Sequence, residues 1–235
     1  MKINVVMLVY NRPELTEQAV WSLYAHNDYD RFTLTVVDDG SDAATKEVLE
    51  RLLIRPGYNN VDLIHQDNCG ITARVRNHAI GESQLRFGRG DFLYLSDNDV
   101  FFESHSLLEM ATTMFHLERT EPHISLLGGS NHPYHQPIKR INISSKAAVN
   151  THMALAGYSQ MMRWKTWDKY GPLKEGAPGV RQGEDSDFCG RIYMDGGLIC
   201  SMDPEVVLAC GITDSFGQPI IGAELMPRYP GVLQV

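Results

Sequence analysis

The first hundred residues alternate between short apolar runs and longer amphipathic stretches. The apolar runs have the length of strands, and the first three contain β-branched residues. They cover residues 3–9, 32–37, 61–65 and 91–95. Between them, apolar residues recur at helical spacing over residues 15–23, 48–53 and 75–80. Strands that alternate with helices in this way predict an α/β fold, with a mainly parallel sheet covered by helices on both faces.

Beyond residue 102 the alternation becomes less regular. Ser104 is expected to cap a helix whose inward face carries four apolar residues, namely Leu107, Leu108, Ala111 and Phe115. Residues 123–129 predict another strand, and the shorter runs 138–144 and 152–162 predict added strands, antiparallel to the first sheet. Two further helices are expected at Trp164–Tyr170 and from Glu184 onward.

No repeat, low-complexity tract or linker divides the chain. We therefore expect one domain over residues 1–235. Within it, the alternation is regular over residues 1–102 and changes over residues 103–235, which divides the domain into two halves.

Composition narrows the functional classes. A formal net charge of −8 argues against a surface that neutralises nucleic-acid phosphates. The apolar run at residues 1–9 is too short to span a membrane and has no cleavage site behind it, so we interpret it as a strand. The four cysteines, Cys69, Cys189, Cys200 and Cys210, lack CxxC spacing, and we expect a reduced, cytoplasmic protein.

Polar loops follow three of the predicted strands, at Tyr10–Arg12, Asp38–Ser41 and Asp97–Asp99. Ligands of open parallel sheets bind beyond the carboxyl ends of the strands, where such loops meet. Asp97 and Asp99 lie one residue apart at the end of a buried strand, a costly position for two carboxylates unless a cation holds them. The alternative is a solvated turn, in which Asp and Asn tolerate unusual backbone angles.

Several motifs occur together in an order that resembles the family 2 glycosyltransferases. They are Val9-Tyr10-Asn11-Arg12, Asp38-Asp39-Gly40-Ser41, Asn68-x-Gly70 with Arg74 and Asn77, Asp97-Asn98-Asp99, and Glu184-Asp185. The resemblance covers residues 3 to about 195. It implies a GT-A fold, with a Rossmann-like sheet and a smaller, partly antiparallel acceptor-side region, and a nucleotide-diphosphate sugar as the substrate. Residues 1–102 would form the nucleotide-sugar-binding half, and residues 103–235 would form the half that holds the acceptor and the catalytic base.

The same resemblance implies a nucleotide-sugar site. Asp39 would accept the N3–H of a uracil-type base while Tyr10 and the backbone around it pack on the ring. The implied contacts are Val9, Tyr10, Asn11, Arg12, Asp39, Gly70, Arg74, Asn77, Asp97 and Asn98. Arg74 or Asn77 would meet the diphosphate. Plainer roles stay open: Asp39 or Asn11 as a helix cap, Arg74 on a solvated helix face, and Gly70 as a turn glycine.

The resemblance also implies a metal site and a catalytic base. Asp99 would bind Mn²⁺ or Mg²⁺, assisted by Asp97, and the ion would offset charge on the departing diphosphate. Asp185 would accept the proton of the acceptor hydroxyl, and Glu184 would orient the acceptor. The alternative is that Asp185 is an ordinary acid at a helix start, a role that Asp187 would share.

The chain departs from the family in one respect, because many members supply a later His as a metal ligand and none follows His152 here. Cys210 lies in residues 206–213, the segment that corresponds to the position of that ligand in the family. A thiolate suits these ions poorly, so we expect Cys210 in the core. His132, His135 and His152 could serve instead, although their spacing gives no metal signature.

The expected function is therefore a metal-dependent glycosyltransferase that uses a UDP-sugar and inverts the anomeric centre. The alternative is an inactive relative that binds nucleotide or glycan. No GxGxxG or GxxxxGK[ST] loop supports a dehydrogenase or a P-loop enzyme. The acceptor stays open among a saccharide, a lipid-linked sugar, a protein and a modified nucleobase, and Trp164 and Trp167 could line its site or pack in the core. The oligomeric state is not indicated.

Overall fold

The structure, a computed structural model, describes residues 1–54, 59–130, 135–145, 147–177, 183–210, 212–213 and 219–221. Its first half is a run of parallel strands joined by helices. In chain order these are β1 (Ile3–Val9), α1 (Pro13–His26), β2 (Phe32–Asp39), α2 (Ala43–Leu53), β3 (Val61–Gln66), α3 (Thr72–Phe87) and β4 (Phe92–Asp97). β1 pairs in parallel with both β2 and β4, and β2 pairs in parallel with β3. The alternation in the sequence predicted each of these elements.

The second half extends the same sheet. Its elements are β5 (Val100–Phe102), α4 (Ser106–Thr120), β6 (Ile124–Gly128), β7 (Lys139–Asn142), β8 (Ala148–His152), β9 (Ser159–Met162), α5 (Trp164–Tyr170), α6 (Glu184–Met194), β10 (Leu198–Asp203), β11 (Val207–Ala209), β12 (Ile212–Thr213) and β13 (Pro219–Ile221). The nine-stranded sheet has the order β3-β2-β1-β4-β9-β6-β10-β8-β7. β11 pairs with β5, and β12 with β13, in two small antiparallel sheets.

Of the added strands, β8 and β9 run antiparallel to the first sheet, as expected, whereas the prediction for the run 138–144 was wrong, because β7 pairs antiparallel with β8 and therefore runs parallel to the first sheet. β9 runs antiparallel to both β4 and β6, and β8 runs antiparallel to β10. The prediction of one strand over residues 152–162 was wrong, because His152 ends β8 and β9 begins at Ser159. Gly157 lies in the intervening loop, where a Cβ would lie 2.4 Å from Nη1 of Arg76. The backbone therefore leaves the sheet and passes against a buried guanidinium.

Successive strand residues bury themselves on opposite faces of the sheet. In β1, Ile3, Val5, Met7 and Val9 join one apolar cluster with residues of α1, α2 and α4, whereas Val6 joins a second cluster with residues of α3, α5 and α6. β4 divides in the same way, with Tyr94 on the first face and Leu93 on the second. Helices thus cover both faces of the sheet. A binding site is therefore expected at the loops beyond the strand ends.

The start of α4 differs from the prediction. Ser104 is not the N-cap: His105 occupies that position with φ 60° and makes no side-chain capping bond. Instead Asn27, after α1, accepts the Leu107 amide through Oδ1 at 2.9 Å. The predicted inward position of Phe115 was also wrong, since this ring is 41% exposed, and Met110 and Met114 face the core in its place. A cap supplied from another element leaves no local signal in the sequence.

Candidate functional site

Loops that follow β1, β2 and β4 meet at the carboxyl edge of the sheet because these strands are neighbours. Asn11, with φ 55°, connects all three loops. Its amide donates to Ser41 Oγ at 2.8 Å, its Oδ1 accepts the Asp42 amide at 2.9 Å, and its carbonyl accepts Nδ2 of Asn98 at 2.8 Å. Asn11 does not cap its own helix, since the N-cap of α1 is Arg12. It instead fixes the three predicted loops against one another.

Asp97 and Asp99 are each paired with an arginine. Arg12 Nη1 lies 2.5 Å from Oδ2 of Asp99, and Arg76 Nη2 lies 2.5 Å from Oδ1 of Asp97. Asn98, between them, is buried and donates Nδ2 to Asn11 and to Thr16 Oγ1. The amide of Asn98 therefore holds the loop after β1, while the carboxylates on either side remain directed to charged partners.

Arg76 is the residue that the sequence reading missed. Its side chain is 4% exposed, and besides Asp97 it faces Glu184, with Nη1 3.9 Å from Oε1. Burial alone would lower the pKa of Arg76, but Asp97, Glu184 and Asp185 outweigh that effect and raise it. Nε has no hydrogen-bond partner among the described residues. The buried guanidinium group of Arg76 thus joins the end of β4 to the start of α6.

Glu184 and Asp185 begin α6 directly after Gly183, which adopts φ 54°. Asp185 Oδ2 accepts the Gly157 amide at 3.1 Å, and Oδ1 accepts the Ser186 amide at 2.7 Å. These bonds turn the carboxylate back toward the loop before β9, next to Arg76. The structure therefore brings Asp185 and Glu184 into the same charged cluster as Asp97.

Asp38 and Asp39 end β2 in different environments. Asp38 is fully buried, and its two oxygens are taken by the Ser41 amide and by Nδ1 of His65. Asp39 is 6% exposed, and its Oδ1 accepts Nε2 of Gln66 at 2.7 Å and the Cys69 amide at 3.2 Å. Asp39 is not a helix cap, because Asp42 caps α2 by accepting the Thr45 amide.

The remaining predicted nucleotide contacts divide into two groups. Val9 is buried in the sheet, Tyr10 is 51% exposed beyond it, and Gly70 adopts φ 64°, which requires glycine-like freedom. Arg74 and Asn77, on α3, are engaged by other residues. Arg74 pairs with Glu175 at 2.8 Å, and the side-chain amide of Asn77 exchanges two hydrogen bonds with the backbone of Leu173. Among the described residues, neither side chain makes a hydrogen bond or an ion pair with Asp97 or Asp99.

The acidic pair suits a hard divalent cation. Burial, with a further contribution from Asp97, raises the pKa of Asp99 to about 6, and the neighbouring Arg12 only partly offsets these effects. Among the described residues, no group of three or more His, Cys, Asp and Glu could hold a metal. Two carboxylates remain a fitting set for Mg²⁺ or Mn²⁺, which keep waters and bind substrate phosphates.

Cys210 belongs to the core, as expected. It is 3% exposed, clusters with Phe101 and accepts a weak bond from Gln18 Nε2. Burial raises the pKa of its thiol to about 12, so the sulfur is protonated and unsuited to these ions. Its backbone amide donates to the Asp99 carbonyl at 2.6 Å, and this bond fixes the backbone at Asp99.

The candidate histidines and tryptophans lie away from this cluster or outside the described residues. His152 is buried, and Nε2 contacts Ser201 Oγ at 2.9 Å. His135 is half-buried, and His132 lies outside the described residues. Trp164 packs in the core: it is 6% exposed, donates Nε1 to Asn4 near the start of β1 and packs under Arg89. Trp167 packs on Phe188 beside the second core.

The sequence profile of the family described as Glycosyl transferase family 2 matches residues 4–166. The chain belongs to this family. No curated protein sequence matches the chain significantly. Among the described residues, none of the helices is both long enough and apolar enough to cross a membrane.

Solved glycosyltransferases share the fold of this family 2 member. A mannosyltransferase from Pyrobaculum calidifontis, in complex with GDP-Man and Mn²⁺, superposes with a TM-score of 0.61 at 16% identity over 85% of this chain and 56% of its own. GalNAc-T7 with UDP, GalNAc and Mn²⁺ gives 0.67 at 13% identity over 88% of this chain and 43% of its own. TarS of S. aureus, residues 1–349 with UDP-GlcNAc, gives 0.60 at 18% identity over 86% of this chain and 56% of its own.

These similarities establish the GT-A fold predicted from the motifs. The chain spans only about half of the length of the structures that it resembles.

Proposed function

We propose that this protein is a metal-dependent glycosyltransferase that moves a sugar from a UDP-linked donor to an acceptor hydroxyl, with inversion at the anomeric carbon. The single observation that carries the proposal is the Arg76 cluster. It joins a carboxylate at the end of β4 to two at the start of α6, beside the loops that end β1 and β2. A family 2 member with acids from distant segments in one cluster has the parts of a transfer site.

On the donor side, we propose that Asp39 and the exposed ring of Tyr10 bind the nucleobase, and that Val9, Asn11 and Gly70 shape the backbone around it. Arg12 is suited to the diphosphate because half of its side chain is exposed beside Asp99. Asn98 would contribute by holding the loop after β1. Arg74 and Asn77, which hold residues 173–175, would act on the acceptor side rather than on the phosphates.

Asp99 and Asp97 are the residues that would hold Mn²⁺ or Mg²⁺. When bound, the ion supplies positive charge to the departing diphosphate. On the other side of Arg76, Asp185 would accept the proton of the incoming hydroxyl, and Glu184 would hold the acceptor. Displacement with such a base on the face opposite the leaving group inverts the anomeric centre.

The division of labour follows the chain. We propose that residues 1–102 bind the donor and that residues 103–235 bind the acceptor and supply the base, within one domain. The four cysteines are free thiols, which agrees with the reducing cytoplasmic compartment that we propose.

The test is a screen of nucleotide sugars with Mn²⁺ for release of free nucleoside diphosphate. We expect UDP release in the wild type and a loss of about 100-fold or more in Asp99→Ala and in Asp185→Asn. Asp195→Asn, an exposed acid that pairs with Lys169, is the matched control and should keep full activity. Equal release by wild type and Asp99→Ala would remove the metal assignment.

A second candidate is a binding module that has lost turnover. One observation favours it: among the described residues the acidic pair has no third side-chain ligand for a cation. Tight UDP binding by calorimetry without slow donor hydrolysis, in both wild type and Asp185→Asn, would establish this alternative.

A further inference from the structure

A hydrogen-bonded chain that the proposed function does not use ends at Asp39. It runs from His78 through Gln66 to Asp39. His78 Nδ1 contacts Oε1 of Gln66 at 3.0 Å, and Nε2 of Gln66 donates to Oδ1 of Asp39 at 2.7 Å. Gln66 ends β3, directly opposite Asp39 in the register of β2 and β3. Its position follows from strand pairing and not from a flexible loop.

This chain leaves Asp39 with a single free acceptor. Oδ1 accepts two N–H groups, from Gln66 and from the Cys69 backbone. Within the part of the chain that the structure describes, Oδ2 has no hydrogen-bond partner, and Asp39 keeps a small exposed area. The adjacent Asp38 differs, because both of its oxygens are occupied by Ser41 and His65.

The nucleobases differ in how many donors they present to a carboxylate. Guanine presents two neighbouring donors, N1–H and N2–H, and is bound best when both carboxylate oxygens accept, in the bidentate manner. Uracil presents one, N3–H, between two carbonyl oxygens. Cytosine and adenine place an unprotonated ring nitrogen beside their amino group, which a carboxylate repels. A carboxylate with one free oxygen therefore fits uracil and not guanine.

We propose that Gln66, held by His78, is the positioning residue that makes Asp39 select uracil over guanine by occupying its Oδ1. The proposal rests on the proposed function, in that Asp39 meets the base of the donor. The fold does not decide the question, because the solved relatives include complexes with GDP-Man and with UDP or a UDP-sugar.

The experiment is calorimetric titration of the full chain with UDP, GDP and CDP in the presence of Mn²⁺. We expect the wild type to bind UDP at least about 100-fold more tightly than GDP or CDP. Gln66→Met keeps the length of the side chain but removes the donor to Oδ1, and should reduce the ratio of UDP to GDP affinity about tenfold. His78→Ala should shift this ratio in the same direction by a smaller factor.

The control is Gln84→Met, which makes the same change at an exposed glutamine of α3 that contacts Arg89. It should leave the ratio unchanged, and circular dichroism should show that every variant is folded. A ratio that stays constant in Gln66→Met, or a wild type that binds UDP and GDP equally, would overturn this inference while leaving nucleotide binding intact. A wild type that binds none of the three nucleotides would overturn the proposed function as well.

Discussion

Arg76 shows how a single residue can connect distant segments. It is almost completely buried, and three carboxylates from β4 and α6 supply its compensating charge. Arg74, two positions earlier, pairs with one glutamate on the surface. A buried ion pair becomes costly when one partner is removed, because the other charges stay buried without compensation.

We therefore expect Arg76→Met to lower the free energy of unfolding by about 3 kcal/mol or more. Arg74→Met, the matched control, should leave the urea midpoint essentially unchanged, since solvent screens its pair. Urea titration followed by tryptophan fluorescence measures both. Equal midpoints for the two variants would mean that Arg76 does not neutralise the cluster.

The cysteines give a second prediction at this scale. Burial raises the pKa of Cys189, Cys200 and Cys210 to about 12, so their thiolate forms are scarce at pH 8. Cys69 is only half-buried. In the native protein a thiol reagent should label Cys69 and spare the other three up to pH 9, whereas all four should react in urea. Mass spectrometry of the labelled peptides identifies the sites, and rapid native labelling of Cys210 would contradict its place in the core.

Sequence reasoning predicted the position of individual residues correctly where they belonged to a recognisable motif. It singled out Asp39, Asp97 and Asp185, which the structure places at the loops expected. It missed Arg76, although a signal existed: residues 73, 76, 80 and 83 lie on the buried face of α3, and an arginine at such a position needs an acidic partner. The partner lies across the fold, so periodicity alone could not name it.

At the scale of elements, the turn after β2 depends on Gly40. It adopts φ 73°, and a Cβ there would lie 2.5 Å from the Asn68 backbone nitrogen. The loop from Asn68 to Gly70 therefore packs directly on this turn, which explains why the Asp38–Ser41 and Asn68–Gly70 motifs occur together.

Gly40→Ala should destabilise the protein by about 2 kcal/mol, and it should weaken UDP binding because it displaces the loop beside Asp39. Gly81→Ala is the matched control. A Cβ at Gly81, inside α3, meets nothing within 4 Å, and the substitution should stabilise the helix by about 0.5–1 kcal/mol. Thermal unfolding measures both changes, and a destabilisation of similar size in the two variants would argue against the contact with Asn68.

The elements that the sequence misplaced share one cause. The cap of α4 comes from Asn27, and the run 152–162 breaks where Gly157 meets Arg76. Both features depend on contacts between segments far apart in the chain. The parallel strands and their helices were predictable because hydrophobic periodicity is local. The insertion of β9 between β4 and β6 was not, because no local pattern specifies a neighbouring strand.

Across the whole molecule, strand order brings motifs that are far apart in the chain to one edge of the sheet. β2, β1 and β4 are neighbours, so the loops that follow them share an edge, and β9 next to β4 brings the Gly157 loop under α6. We propose that the Asp39, Asp99 and Asp185 segments face one bound nucleotide and its cation.

The most direct test is paramagnetic broadening of backbone amide signals by Mn²⁺ with UDP, compared with Mg²⁺ and UDP. We predict that the amides of residues 39–41, 97–99 and 184–186 lose intensity together. The amide signals of Gly88 and Gly196, which precede β4 and β10 at the opposite edge of the sheet, should keep their intensity. Asp99→Ala should abolish the broadening. Broadening confined to one of the three segments, or centred on Gly88 or Gly196, would contradict a shared site.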